Sequence, residues 1–195
     1  MITIRNEKPE DYFEVEKLVR SSFWDVYRPG AMEHFVLHKY RDDKDFVKEL
    51  DFVMELDGKI IGQTIFVKSE IELLGGGKLP VLTFGPICID NRYKRMGYGK
   101  MLLDYSLEKA KEWGAGATLI TGNIDFYGKS GFVPASKFGI RYSDADPDDK
   151  EVIYFLAKEL KEGYLEGANG TYKDPEGYFV CQNLPKEFEE FDKRF

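Results

Sequence analysis

Residues 51–121 switch between two hydrophobic periods, and the order of that switching restricts the fold more than any other feature of the chain. Asp51 to Leu56 reads as a strand. Asp57-Gly58 follows it, a pair that tolerates positive φ at both central positions of a tight hairpin. Lys59 to Glu72 is the return strand and Gly75-Gly76-Gly77 the next turn. Leu79 to Ile89 is a third strand, with Val81, Leu82, Phe84, Ile87 and Ile89 too apolar for an exposed ribbon. The period then changes. Gly97 to Trp113 carries Leu103, Leu107, Ala110 and Trp113 at helical spacing, which predicts a helix with that face on the sheet. Gly114 and Gly116 stop it, and Ala117 to Thr121 is a short buried strand. An antiparallel meander that ends in a strand–helix–strand step predicts the α+β class, with a mixed, mostly antiparallel sheet.

The flanks fit that frame. Met1 to Arg5 alternates as a strand, and Pro9 opens a helix with Glu10 and Asp11 in its first turn. Val15, Leu18, Val19 and Ser22 form its inner face. Arg28-Pro29-Gly30 breaks the chain before a second helix, Ala31 to about Tyr40. Asp125 to Ser130 reads as a short helix or turn, and Phe132 starts another strand. Beyond Arg141 the pattern loosens. An acidic loop spans Asp144 to Asp149, and Val152 to Leu160 reads as a last core strand or a helix. Gly163 to Val180 reads as a hairpin, and Pro185 to Phe195 as a helix with Phe188, Phe191 and Phe195 on one stripe. The expected organisation is one domain over 1–160, with 161–195 a hairpin and helix extension packing on it.

A chain of 195 residues buries about 70% of its unfolded surface, so it needs no disulfide or metal staple. The net charge is -7, opposite in sign to that of most nucleic-acid binders. Cys88 and Cys181 make neither a disulfide framework nor a zinc cluster and suit a reducing compartment. Residues 1–7 lack the apolar run of a signal peptide, and no stretch approaches the roughly 20 apolar residues that span a bilayer. The expectation is a soluble cytoplasmic protein with no membrane or nucleic-acid partner. A homodimer is left open.

Chemistry concentrates between the third strand and the helix, in Asn91-Arg92-Tyr93-Lys94-Arg95-Met96-Gly97-Tyr98-Gly99-Lys100. Two glycines, two apart, open a helix directly after a strand. Missing Cβ atoms let a phosphate reach the backbone, and the first helical N–H groups point at it. Arg92, Lys94, Arg95 and Lys100 bring basic charge to one short segment of an acidic chain. A dinucleotide fingerprint needs glycine at position 102, where Leu102 stands. A Walker A loop needs glycine at position 94 and serine or threonine at position 101, where Lys94 and Met101 stand. Both patterns fail, and a plain glycine turn with solvated basic residues stays open.

Lys94-x-x-Gly97-x-Gly99 resembles the pyrophosphate loop of the GNAT superfamily of acyl-CoA N-acyltransferases. Phe84-Gly85-Pro86-Ile87-Cys88-Ile89 is similar to the strand on which that family lays pantetheine. Gly122-Asn123-x-x-Phe126-Tyr127-x-x-x-Gly131-Phe132 is similar to its Tyr-x-x-x-Gly-Phe segment, in the form of a branch of predicted small N-acetyltransferases. Lys94 replaces the usual Gln or Arg and Asn123 the usual Asp, so residue 123 has no basic carboxylate.

The resemblance implies a GNAT-like twisted sheet flanked by helices, acetyl-CoA as donor, no metal, and a small-molecule or peptide amine as acceptor. It places backbone N–H groups of Arg95, Met96, Gly97, Tyr98, Gly99 and Lys100 on the pyrophosphate. Side chains of Arg92, Lys94, Arg95 or Lys100 screen it or reach the 3′-phosphate. Main chain of Ile87 and Ile89 pairs with pantetheine as an added strand. An N–H near Cys88 polarises the thioester carbonyl, and Asn123 borders the cofactor.

Tyr127 takes the position of the family's usual general acid. A phenol near pKa 10 protonates a thiolate of pKa about 8.5 uphill by about 2 kcal/mol, so this tyrosine is read as a hydrogen-bond donor that also transfers its proton. No base stands out: Asp90, Glu70 and Glu72 are candidates for a water relay.

Several sharper readings have plainer rivals. His34 and His38 have metal-ligand spacing but no third ligand, and a place along the acceptor cleft suits them better. Cys88 in an apolar strand is more simply packed than nucleophilic. The phenylalanine stripe is more simply docked on the core than kept for a partner. The acidic loop is usually just solvated, though it also suits a cationic acceptor. Beside the enzyme, two rivals remain: an idle CoA-binding sensor and a protein-interaction module.

Overall fold

The antiparallel meander forms as the turn signals predict. A computed structural model describes residues 1–195. The strands are β1 (Ile2–Asn6), β2 (Phe52–Leu56), β3 (Lys59–Leu73), β4 (Lys78–Ile89), β5 (Ala117–Thr121), β6 (Val133–Pro134), β7 (Ile140–Tyr142), β8 (Phe155–Glu159) and β9 (Gly170–Tyr172). The helices are α1 (Tyr12–Phe23), α2 (Glu33–Tyr40), α3 (Tyr98–Trp113), α4 (Ile124–Tyr127), α5 (Val180–Asn183) and α6 (Pro185–Asp192). Hydrogen-bonded strands follow the order β1-β2-β3-β4-β5-β8-β6, with β9 paired to β3 and to β7. Most pairings are antiparallel; β4–β5 and β7–β9 are parallel. The fold is α+β. No helix is long and apolar enough to cross a membrane.

The residues group into two compact units. The first comprises Met1–Phe66, Gly85–Ser106 and Pro175–Phe195. Here β1 pairs with β2 and β2 with β3, around the Asp57-Gly58 turn with φ of 51° and 79°. Both values are positive, as a tight hairpin requires. Val53, Met54, Ile61 and Ile65 are fully buried. Gly85 lets β4 lie close to β3, since a Cβ there would stand 2.4 Å from Ile65 Cγ1. A short 3₁₀ turn, Pro9–Asp11, precedes α1, which buries Val15, Leu18, Val19 and Ser22. The stripe on α6 docks as core: Phe188 and Phe191 lie 5.6 and 5.2 Å from Phe35 of α2, and Phe195 stacks on Phe13 at 5.3 Å. Asp192 ties this contact, accepting from Arg20 Nε at 2.7 Å and lying 3.0 Å from His34 Nε2.

The second unit comprises Val67–Phe84 and Leu107–Asp174. Its core joins Val81, Leu119, Phe155, Ala157, Leu165 and Tyr172. Within residues 152–160, Phe155–Glu159 resolves as a strand, β8, paired to β5 with Leu119 opposite Ala157. Three local expectations change. The hairpin expected over 163–180 is a single strand, β9, because its partners are β3 and the unanticipated β7, both far away in sequence. The strand expected from Phe132 is only Val133–Pro134. Trp113 is 42% exposed while Leu103, Leu107 and Ala110 are buried. Helical spacing sets a residue's angle about the axis, not what lies beneath the last turn.

Candidate active site

The turn between β4 and α3 is built from local chemistry. Asp90 caps a 3₁₀ turn, Asn91–Tyr93, by accepting from Arg92 N at 3.0 Å. Arg95 and Gly97 then take φ of 63° and 89°, reversing the chain so that α3 starts at Tyr98. Gly97 adopts this conformation freely, whereas Arg95 is one of four non-glycine residues with positive φ. The first bond closing the helix runs from Met101 N to Gly97 O at 3.1 Å. The N–H groups from Arg95 to Lys100 find no acceptor within the chain. They stand at the positive end of a 16-residue helix, where an anion is favoured.

Side-chain charge at this turn is only partly spent. Arg92 pairs with Asp90, and the guanidinium holds that carboxyl below its usual range. Lys100 pairs with Asp104. Lys94 and Arg95 are exposed and have no carboxylate partner. Lys17 and Lys59 line a pocket of about 450 Å³ together with Asp90 and Arg92. The sequence has no local signal for that pair, because residues 17, 59 and 92 meet only through folding.

Next to the turn, the end of β4 has one edge that no strand pairs. Asp90 N donates to Ile61 O at 2.7 Å, so residue 90 faces β3. By the two-residue period Cys88 faces β3 as well, while Ile87 and Ile89 turn their N–H and C=O groups the other way, where the Ile89 carbonyl accepts from the Ser22 hydroxyl at 3.5 Å. Pairing of β4 with β5 covers only Leu82 and Thr83. Burial pushes the Cys88 thiol up to about 12, so it is a packed side chain and a poor nucleophile.

In the second unit, Asn123 caps α4 by accepting from Asp125 N at 2.8 Å, which occupies its amide oxygen. Tyr127 closes that short helix. Its ring is held by Phe126, Phe132 and Phe84 at 4.9, 5.5 and 6.3 Å. Gly122 lies flat against the same ring: a Cβ there would stand 2.4 Å from Tyr127 Cε2. The ring is thus fixed by packing from several sides.

Candidate bases narrow. Asp90 is paired with Arg92, and Glu70 is paired with Lys78. His38 Nδ1 lies 2.9 Å from Glu16, and His34, fully buried beside Asp192, is pushed down to about 4 by desolvation. Both histidines serve intrachain contacts between helices.

Comparison with known proteins decides the family. The model of the Acetyltransferase (GNAT) family matches residues 16–132, more than half of the chain. The chain belongs to the GNAT family. The uncharacterized N-acetyltransferase YhbS of Escherichia coli K12 is 25% identical over 160 residues, covering 82% of this chain and 90% of the relative. The crystal structure of E. coli YhbS in complex with CoA superposes with a TM-score of 0.77 at 24% identity, covering 91% of each chain. A GNAT acetyltransferase from Brucella melitensis in complex with acetyl-CoA gives a TM-score of 0.70 at 20% identity, covering 91% of this chain and 98% of that one. These likenesses show a shared fold. In this GNAT chain Ile87, Cys88, Ile89, Arg92 and Lys94 to Lys100 lie on one continuous segment of the first unit, and Asn123 and Tyr127 on one cap-and-helix turn of the second.

Proposed function

We propose that this GNAT chain transfers an acetyl group from acetyl-CoA to a primary amine. One observation carries the reading: the N–H groups from Arg95 to Lys100 are unspent at a helix N-terminus, directly after a strand end that β5 does not pair. A diphosphate satisfies the former, and the amides of a pantetheine arm satisfy the latter as an added strand. Lys94 and Arg95 screen the phosphates. An N–H of Ile87 or Ile89 donates to the thioester oxygen and favours the charge that develops there.

The neutral amine attacks the thioester carbon. The N–C bond forms, the C–S bond breaks, and CoA leaves as a thiolate. Tyr127 donates a hydrogen bond to that sulfur and passes it the phenolic proton, while water takes the proton shed by the amine and a proton from water restores the phenol. The packed rings around Tyr127 support this role, because a fixed donor loses little entropy in the transition state.

Two measurements test the reading. Acetyl-CoA should raise the melting temperature in a concentration-dependent way. Free thiol should then appear when amines are added. No thermal shift removes the ligand site, and a shift without thiol release removes the catalysis.

A further inference from the structure

A cavity of about 450 Å³ opens in the first unit, where three segments far apart in sequence converge. Helix α1 supplies Glu14, Lys17 and Leu18, whose spacing puts them on one side of the helix. The Asp57-Gly58 hairpin presents Lys59 and Ile60 at the start of β3, and Asp90 and Arg92 border the cavity from beyond β4. Leu18 is buried and Ile60 half-buried, so part of the lining is apolar. The volume falls within the range of ordinary small-molecule sites, about 300–1,000 Å³.

The charges around this cavity do not cancel. Asp90 is spent on Arg92: its Oδ1 accepts from the Arg92 N–H and Nε, each at 3.0 Å, and its Oδ2 pairs with Nη2. The side chains of Lys17 and Lys59 make no ion pair and no hydrogen bond within the chain. Glu14 also makes none, and the two lysines outweigh it by one charge in a chain whose net charge is -7. A single surface lysine calls for no partner. Two that border one cavity repel each other across it, and an anion between them relieves that repulsion. Ammonium groups arriving from a helix and a hairpin act as point charges. They match the several oxygens of a phosphate better than the planar edge of a carboxylate, which suits a guanidinium fork. The one guanidinium here, Arg92, already has its carboxylate.

We propose that this cavity binds a phosphate monoester of a small organic molecule, with Lys17 and Lys59 on the phosphate and Leu18 and Ile60 against the carbon skeleton. The site is distinct from the N–H groups of residues 95–100 and stands without the acyl-transfer reading. Two sources supply this chemistry: the 3′-phosphate that CoA itself carries, and an independent phosphorylated molecule.

The test is a calorimetric titration of the full chain with phenyl phosphate and with benzoate at low ionic strength. It is repeated on Lys17→Gln, Lys59→Gln and the double variant; both lysines are exposed, so the fold tolerates the changes. Phenyl phosphate should bind about threefold more weakly to each single variant and about tenfold more weakly to the double variant. Benzoate should bind the wild type more weakly than phenyl phosphate does. No measurable binding of phenyl phosphate to the wild type, or equal binding to the double variant, overturns the site. Benzoate bound as tightly overturns the phosphate class. Repeating the titration with saturating CoA and with 3′-dephospho-CoA identifies the source. Binding lost under CoA alone makes the ligand the 3′-phosphate of CoA, and binding kept under both makes it a separate molecule. Binding lost under both assigns the phosphate to the turn at residues 95–100 and overturns the cavity. If CoA itself gives no heat of binding, the donor reading falls while a lysine-dependent phosphate site stands.

Discussion

Arg41 and the segment Arg92–Lys100 both gather charge in the first unit, and they dispose of it in opposite ways. Arg41 is 5% exposed in its side chain and fully engaged: its Nε and Nη2 reach Glu7 at 3.0 and 2.8 Å, and Nη1 reaches Glu16. Its guanidinium lies 3.9 Å over the Tyr12 ring. His38 adds a contact to Glu16, and the neighbouring Asp51 is kept well above its usual range by burial and by the Glu7 charge. The turn has exposed Lys94 and Arg95, and six consecutive N–H groups without acceptors. Buried charge survives only when paired, because desolvation of an unpaired ion costs several kcal/mol. Exposed charge has no such obligation. Where it stays unpaired beside unspent backbone donors, its partner is to be sought outside the chain.

The strongest challenge to that contrast is Arg41→Met. It should lower unfolding free energy by about 3–5 kcal/mol, since Glu7 would be left buried without its cation and Glu16 with only His38 and, at 3.7 Å, Arg194. Urea unfolding measures this, and a loss below about 1 kcal/mol would mean that the core does not depend on the network. Next comes Gly99→Glu, which puts bulk and negative charge where the proposed diphosphate would sit. Acetyl-CoA affinity should fall by about 100-fold or more, while stability stays within about 1 kcal/mol because an acid is tolerated in a first helical turn. Retained affinity in the folded variant would break the assignment of the turn.

Tyr127→Phe sharpens the comparison by separating binding from chemistry. Turnover should fall at least about tenfold with little change in acetyl-CoA affinity, since only the hydroxyl is lost. Unchanged turnover would take Tyr127 out of the mechanism. The smallest effect concerns pH. The folded-state pKa of Asp51 lies above its unfolded value, so the folded protein holds a proton that the unfolded chain has already released. Stability from this group is complete below about pH 4 and is lost as pH rises toward the folded value. Asp51→Asn cannot ionise and should escape the loss. Its stability relative to wild type should improve as pH rises from about 4 toward the folded value, and a gap that stays constant would assign Asp51 no such proton.

Legibility follows the distance between interacting residues. The Asp57-Gly58 hairpin and the Gly97 turn are readable because two or three adjacent residues set the backbone angles. The apolar face of α1 and the aromatic stripe of α6 are readable because one helical period carries them. By contrast, the hairpin reading of residues 163–180 fails at β9. Nothing in Gly170–Tyr172 names β7 or a strand about a hundred residues earlier as its partners. The hydrogen bond from Tyr142 to Asp174 is invisible in the sequence for the same reason, as is the use of both histidines in helix contacts.

The amino-acid order alone determined the succession of strands and helices as far as Thr121, the site of the reversal after Ile89 and the family that reversal resembles. Those properties depend on backbone preferences and side-chain periods within about a dozen residues. Tertiary structure decided which strands share an edge, which charges are neutralised and which remain open. Those outcomes depend on segments far apart in sequence meeting in a common core, where burial makes pairing obligatory, and no local window encodes that meeting.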